Sequence, residues 1–432
     1  MRVQRAVPAV FTLLGCAGSA FALPQPDVSL TPAAILADGK KAFMYAKTKI
    51  TTTPGCGWTR GTYMIGLWDY YNASSDPVAK EFLQSWGKHY AYKLCARGDT
   101  EQEPLGGPRR RLQGPCEGDK LPCKGVHNAN NQLCGATYAE MFMNMVGSSP
   151  AMLTDTVKIF GEEIADAPDS NNFWSWVDAS FMAMNTWARM GAATGEVKYY
   201  EKQWTNFQAA MLLPPDGKKT FGFWNSSTHL FYRDDRFLGT SIYWGRGNGW
   251  AMGALVAAIK YGHADSHRAD YIKIFKLQAA KLASIQGPDG AWRASLLNAT
   301  GYPTPEMTGT SSFCYGIAFG INAGILDKAT YAPVVAKAWK FMSGTALQKS
   351  GLYGYCQPVG GSPEHNINPT STSDFCVGQF LLGTVQVSKL AQVRLHAIDF
   401  LQCQHLAEHA ARELPVSPTV MCVQTTDLGS MI

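Results

Sequence analysis

One carboxylate, Asp178, stands in the run Phe173-Trp174-Ser175-Trp176-Val177-Asp178-Ala179-Ser180-Phe181-Met182, surrounded by aromatic and apolar side chains. A carboxyl group stripped of water keeps its proton to higher pH, toward the range where it can act as a general acid near neutrality. A second segment, Trp244-Gly245-Arg246-Gly247-Asn248-Gly249-Trp250, brackets a guanidinium and an amide with two indoles. Indoles cover the C–H face of a sugar while Arg and Asn read its oxygens. Together the two segments point to a carbohydrate-processing site. The structural alternative for Trp174, Trp176 and Met182 is core packing, and for Asp178 it is a buried ion pair or a helix cap.

Further charged groups lie nearby. The run Leu230-Phe231-Tyr232-Arg233-Asp234-Asp235-Arg236-Phe237 mixes aromatic and charged residues on a loop or hairpin. Arg233 could hold a substrate carboxylate; a surface pairing of Asp234 with Arg236, or of Asp235 with Arg233, is the structural alternative. The Trp244–Trp250 segment is expected to open a helix, whose free N–H groups favour an anionic ligand. Its glycine spacing matches neither a phosphate loop nor a dinucleotide fingerprint. Glu306 is a possible second carboxylate, and Thr308 or Thr310 is expected to cap the helix that follows. In the tail, Cys403, His405 and His409 could be imagined as metal ligands, against the simpler reading of a docked or poorly ordered segment.

A chain of 432 residues with a formal net charge of +5 can bury a large core, and its charge gives no support for nucleic-acid binding. Its one basic cluster, Arg109-Arg110-Arg111, sits in a Gly/Pro-rich stretch and reads as a solvated loop. Arg2 and Arg5 precede the apolar run 6–17, and Ala20-Phe21-Ala22 fits a small-x-small cleavage pattern. Residues 1–22 are therefore expected to be a secretory signal and the protein to be extracellular. No later apolar stretch is long enough to span a bilayer. Eight further cysteines (56, 95, 116, 123, 134, 314, 356 and 376) form an even set, as expected of disulfides in an oxidising compartment. Cys116 and Cys123 are the easiest pair to close, and the missing Cys-x-x-Cys spacing argues against zinc. Asn72-Ala-Ser, Asn225-Ser-Ser and Asn298-Ala-Thr are glycosylation acceptor triplets.

Helical periodicity marks segments near 31–46, 57–70, 77–93, 131–145, 150–164, 172–191, 196–211, 247–262, 266–286, 308–325, 330–345 and 374–390. Thr31-Pro32, Asp76-Pro77 and Ser149-Pro150 each place a capping residue before a first-turn proline. Outside 219–243, where a β-hairpin or long loop is expected, no strand-like alternation occurs. Twelve helices in six hairpins predict an all-α toroid, an (α/α)6 barrel over residues 23–390. The rival, an α-solenoid, would show self-similar repeats of fixed period, and these pairs differ in length. Residues 391–432 read as an atypical tail.

The order of these motifs resembles a known family. Trp176-Val177-Asp178 followed by Phe181-Met182-Ala183, then Leu230–Phe237, Trp244–Trp250, Trp292-Arg293-Ala294-Ser295-Leu296-Leu297, Pro305-Glu306 through Gly309-Thr310, and Thr370-Ser371-Thr372 to Leu382 are similar to the unsaturated uronyl hydrolases of glycoside hydrolase family 105, relatives of family 88. The resemblance spans roughly residues 30 to 390. It implies an (α/α)6 barrel, no cofactor, and hydration of the C4=C5 vinyl ether of a terminal Δ4,5-unsaturated uronate. Carried over by motif position, Asp178 would protonate C4 and then activate the water that adds at C5. Trp176, Met182, Trp244, Arg246, Asn248 and Trp250 would line the sugar pocket. Arg233 falls where many relatives carry a carboxylate-binding histidine.

One departure stands out. Before Cys134-Gly135-Ala136-Thr137-Tyr138, relatives usually carry one or two aspartates, the first an auxiliary catalytic residue; this chain has Asn130 and Asn131. An amide still hydrogen-bonds a hydroxyl but cannot ionise. Three functions are therefore weighed. The first is a secreted hydrolase releasing unsaturated galacturonate from rhamnogalacturonan lyase products. The second is a sugar-binding homologue with weakened catalysis. The third is an ordinary inverting glycosidase pairing Asp178 with Glu306 or Asp234.

Overall fold

The computed structural model describes residues 31–95, 128–144, 148–166, 174–212 and 222–392. The signal segment 1–22, the Arg109–Arg111 cluster, the Cys116–Cys123 pair and the tail from 393 onward lie outside the described residues. The described helices are α1 (Pro32–Lys49), α2 (Trp58–Ser74), α3 (Pro77–His89), the short α4 (Ala129–Gln132), α5 (Cys134–Met143), α6 (Ala151–Asp166), α7 (Asp178–Thr194), α8 (Lys198–Phe207), α9 (Gly245–Tyr261), α10 (Arg268–Ser284), α11 (Met307–Asn322) and α12 (Lys328–Phe341). A last helix, α13, runs over 374–392.

Burial sorts these helices into two rings. Along α7 every residue from Asp178 to Gly191 is buried, along α9 every residue from Gly245 to Ile259, and along α11 every residue from Met307 to Ile321. A helix covered on all sides belongs inside. The same holds for the middle of α2, for most of α5 and for 374–388 of α13. By contrast α1 buries only the stripe Ile35, Gly39, Ala42, Phe43 and Ala46, and α3 buries Ala79, Leu83, Trp86 and Gly87. These are outer helices, as are α6, α8, α10 and α12. The predicted proline starts hold, since Thr31 and Asp76 accept from Ala34 N–H and Val78 N–H and cap α1 and α3.

The inner helices form a closed ring in the order α2, α5, α7, α9, α11, α13. Small residues let neighbours approach. A Cβ on Gly253 would stand 2.6 Å from Phe181, and one on Gly316 would stand 2.3 Å from the Met252 side chain. The ring shuts where α13 meets α2: a Cβ on Gly66 would lie 2.1 Å from the Gly378 carbonyl oxygen, and one on Gly378 would lie 2.5 Å from that of Thr62. Outer helices lock on through aromatic contacts, as when Phe160 of α6 stacks on Trp187 of α7 at 3.8 Å between ring centroids. Such a pair contributes about 0.5–1.5 kcal/mol beyond its buried area. The all-α barrel expected from the sequence is the fold observed.

Details differ from the periodicity reading. The segment expected to be helical from 172 begins only at Asp178, so Trp174 and Trp176 lie on the approach to α7. The expected hairpin near 219–243 shrinks to a two-residue ladder, β1 (Trp224–Asn225) antiparallel to β2 (Leu230–Phe231). The cysteines form Cys56–Cys95 and Cys356–Cys376, but Cys134 and Cys314 are free thiols, a correction to the even set of paired cysteines. Both sit on inner helices, where burial pushes each thiol up to about 12 and keeps it unreactive.

The far end of the ring is plugged by charge. Arg189 Nε meets Glu140 Oε1 at 3.0 Å, Lys260 Nζ meets Asp69 Oδ1 at 3.4 Å, and the Tyr261 hydroxyl bonds to Glu140. Each buried charge is thereby paired.

If ring closure depends on bare backbone at the α2–α13 seam, Gly378→Ala should lower unfolding free energy by about 2 kcal/mol or more, in the range of overpacking. Gly161→Ala on α6, where a Cβ meets nothing within 4 Å, serves as the control and should be neutral or mildly stabilising. Urea unfolding of both variants measures this; equal stability of the two would rule out the close seam.

Candidate active site

The inner helices run parallel, so their N-terminal ends share one mouth. Gly245 of α9 abuts Gly309 of α11, Val177 before α7 abuts Gly247 of α9, and Trp58 of α2 packs on Phe375 of α13 with centroids 5.0 Å apart. Across the barrel axis Trp250 meets Trp58 edge-on at 6.2 Å, and on the neighbouring α7 it meets Phe181 at 4.7 Å. These rings make an aromatic floor beneath a mouth ringed by helix N-termini, whose partial positive charge favours an anion.

Asp178 is the first residue of α7 and is buried, with its side chain 12% exposed. Its Oδ2 lies 3.2 Å from Nε of Arg233, whose side chain is 17% exposed. The backbone sets this pair: the Val177 N–H donates to the Arg233 carbonyl at 2.7 Å, binding the start of α7 to the loop after β2. Although the charges touch, neither Asp178 Oδ2 nor Arg233 Nε makes a hydrogen bond among the described residues. Burial pushes the Asp178 carboxyl above its usual range; the Arg233 and Arg246 charges pull it back only in part, and Asp234 adds to the rise. The contact is a pairing of opposite charges with two orphaned polar atoms facing each other.

Asp234 is held differently. Its Oδ2 accepts from Arg233 Nη1 at 2.5 Å and from Arg236 Nη2 at 2.8 Å, while Oδ1 accepts from Arg236 Nε at 2.9 Å. Burial opposes its charge, but the Arg236 and Arg233 bonds outweigh it and hold the carboxyl below the ordinary range. The Asp234–Arg236 pairing weighed from the sequence is therefore present, with Arg233 bridging Asp234 and Asp178.

The Trp244–Trp250 motif opens α9, and several of its polar atoms bond to the protein, while Arg246 Nε and Trp250 Nε1 have no hydrogen-bond partner among the described residues. Arg246 is fully buried; it donates to the carbonyls of Gln357 (2.7 Å), Pro358 (2.8 Å) and Gly360 (3.2 Å) and lies over the Trp244 ring at 4.5 Å. Burial pushes its guanidinium down to about 10, still cationic at neutral pH. Trp244 Nε1 donates to Gln357 Oε1 at 3.0 Å. Asn248 clamps β2, accepting from Phe231 N–H at 2.8 Å and donating to the Phe231 and Trp244 carbonyls at 3.0 Å each. Trp250 and Met182 are buried, in the floor and on α7 respectively, and Trp176 is half-buried beside Asp178. Hence Trp244, Arg246 and Asn248 fix the 357–360 loop and β2 through their protein-facing atoms. Half-buried Trp58, which the sequence reading passed over, is the indole left at the surface of the floor. Its only signal was a Gly-Trp pair opening a helix.

Glu306 caps α11. Its Oε1 accepts from Thr308 N–H (2.8 Å), Thr308 Oγ1 (2.5 Å) and Gln357 N–H (3.2 Å), and Oε2 accepts from Gly309 N–H (2.7 Å). The cap is thus the glutamate, and the expected threonine caps lie inside the helix. Asn130 is half-buried on α4, which packs against α7, and its N–H donates to Asn128 Oδ1 at 3.0 Å. Asn131 is buried, and its carbonyl accepts from Cys95 N–H at 3.1 Å.

Against this geometry, the family model described as Glycosyl Hydrolase Family 88 matches residues 38–391. The chain belongs to that family. It is a glycoside hydrolase, and the motif resemblance to family 105 and its relative family 88 agrees with this. A curated protein of Alteromonas sp. (strain LOR), an unsaturated 3S-rhamnoglycuronyl hydrolase, is 34% identical over 340 residues, 73% of each chain. One of the same name from Formosa agariphila is 32% identical over 360 residues, covering 78% of this chain and 85% of its own. Among solved structures, a family 88 glycosyl hydrolase from Bacteroides vulgatus superposes with a TM-score of 0.70 at 24% identity, over 82% of this chain and 98% of its own, and so shares the fold.

The environment of Asp178 has a consequence for stability. With its carboxyl raised in the folded state, the native protein binds this proton more tightly than the unfolded chain does. Stability is then fullest below the ordinary carboxylate range and falls as pH rises through the folded-state value. Asp178→Asn removes that penalty. Its Tm at pH 7 should equal or exceed the parent's, with a smaller difference at pH 4; a Tm several degrees lower at pH 7 would mean that the charged form is net stabilising.

Proposed function

We propose that this chain is a secreted hydrolase that removes a terminal Δ4,5-unsaturated uronate linked to rhamnose, including the galacturonate left by rhamnogalacturonan lyases. Three things support the substrate class: family membership, the names of the curated relatives, and the site itself. Secretion rests on the N-terminal Arg2/Arg5 and apolar pattern, and glycosylation on the three acceptor triplets. The observation that carries the reading is the buried pair of Asp178 Oδ2 and Arg233 Nε, 3.2 Å apart and both without a hydrogen bond among the described residues. An unsaturated uronate presents an alkene carbon to be protonated and, one carbon along, a carboxylate to be held. An acid and a cation side by side match that spacing.

In the proposed reaction, Asp178 gives its proton to C4 as the C4=C5 π pair becomes the new C–H bond. Positive charge develops at C5 and on the ring oxygen. Asp178, now a carboxylate, takes a proton from water as the water oxygen bonds to C5. The resulting hemiketal opens to a ketone, returning its ring oxygen to C1 as a hemiacetal hydroxyl, and collapse at C1 releases the neighbouring sugar. One carboxyl with a raised pKa serves both proton transfers. The inverting-glycosidase alternative asks for a second free carboxylate, whereas Glu306 and Asp234 are both occupied by their own partners. That disfavours it.

Loss of the unsaturated uronate's ultraviolet absorbance, on mixing the protein with lyase-treated pectin or purified unsaturated uronyl-rhamnose, tests the proposal. The parent should bleach the band, and Asp178→Asn should be slower by at least about 10²–10⁴-fold while still folded. No bleaching with binding intact would sink the hydrolase reading and favour the weakened sugar-binding homologue. Asn130→Asp then separates the two: a large gain in rate marks a degenerate auxiliary position, and an unchanged rate marks a site that works without one.

A further inference from the structure

Arg233 is asked to serve two carboxyl groups, that of Asp178 in the free protein and that of the substrate in the complex. In the free protein its Nε faces Asp178 Oδ2 at 3.2 Å, without hydrogen-bond alignment, while Nη1 is anchored to Asp234 at 2.5 Å. In the proposed reaction the same guanidinium must receive the uronate carboxylate. Asp234 is itself fixed by Arg236, and the Arg233 carbonyl is fixed by Val177 N–H, so the side chain hinges on stable points at both ends. Gly361 lies against the guanidinium, where a Cβ would come within 3.2 Å of Cζ. The bare glycine leaves the fork room to tilt.

We propose that Arg233 is a positioning residue whose capture by the substrate's carboxylate withdraws it from Asp178, so that binding itself makes Asp178 take up the proton it later delivers. The proposal rests on the hydrolase reading above and adds a trigger to it. Among the described residues, the charged groups that act on Asp178 are Arg233 and Asp234 from the loop after β2 and Arg246 from α9, and its own first turn carries no other titratable side chain. Arg246 is held by three carbonyls and its aromatic neighbours and does not swing. Arg233 keeps Asp234 through Nη1, while its contact to Asp178 lacks hydrogen-bond alignment, so it is the cation that can turn from Asp178 to a substrate carboxylate. When a uronate carboxylate neutralises it, the charge that favoured ionised Asp178 is cancelled, and burial then favours the protonated acid. A proton comes from solvent to Asp178 on binding, goes to C4 in the chemical step, is replaced by one from the attacking water, and returns to solvent when product leaves and Arg233 faces Asp178 again. The balance needs no other reactant.

The account separates the acid seen by free protein from the acid seen in the complex. The pH profile of kcat/KM reports the first and that of kcat the second. For the parent on unsaturated uronyl-rhamnose, the alkaline limb of kcat should lie about one pH unit or more above that of kcat/KM, the scale of a nearby opposite charge. With the uronate methyl-esterified, the substrate cannot take Arg233, and the limbs should coincide in the unaltered protein. Arg233→Gln should also merge them, by raising the kcat/KM limb, whereas Arg233→Lys should keep part of the gap. Coincident limbs in the parent, or a gap that persists with the methyl ester or in Arg233→Gln, would overturn the trigger and leave the hydrolase reading standing. No turnover of any unsaturated uronide would remove both.

Discussion

A carboxyl group and a guanidinium share a buried space at the mouth of this barrel without completing a hydrogen bond, and most of the surrounding structure is arranged around that tension. Burying one charge alone is costly, and burying two is tolerable when they meet. Asp178 and Arg233 meet at 3.2 Å, yet each leaves its facing atom unsatisfied. An unsaturated uronate offers what is missing, an acceptor for the cation and a proton acceptor for the acid.

What holds the pair in place is a chain of ordinary contacts between loops. The Val177–Arg233 backbone bond ties α7 to the loop after β2, and Asn248 ties β2 to α9. Arg246 then ties α9 to the 357–360 backbone, and Gly361 just beyond lies on Arg233. Cys356–Cys376 fixes that loop to the first turn of α13. The walls of the site therefore come from four different parts of the chain, all held at the N-terminal ends of parallel inner helices. At the opposite end, well-paired buried charges such as Arg189–Glu140 close the ring.

Much of this was legible in the sequence. Hydrophobic period and proline starts gave the helices and the barrel, because packing on all sides leaves a pattern in residue type. The buried position of Asp178 followed from its apolar neighbours. Less legible was which polar atoms face inward. Trp244, Arg246 and Asn248 have the chemistry of sugar contacts, but three backbone carbonyls and a β-strand reach them first, from residues more than a hundred positions away in the case of the 357–360 loop. The Glu306 cap was hidden because threonines better suited to capping stand two and four residues on. Trp58 was hidden because a Gly-Trp pair at a helix start looks like any other. Contacts distant in sequence placed Trp244 and Arg246, and no local pattern encodes them.

The most direct test of the proposed chemistry is to run the reaction in D₂O and locate the label in the released uronate by NMR. If Asp178 protonates the alkene, the product carries one deuterium at C4 and has lost the C4=C5 double bond. A released sugar that keeps its double bond and carries no deuterium at C4 would show that the glycosidic bond is cleaved directly, and would contradict the account.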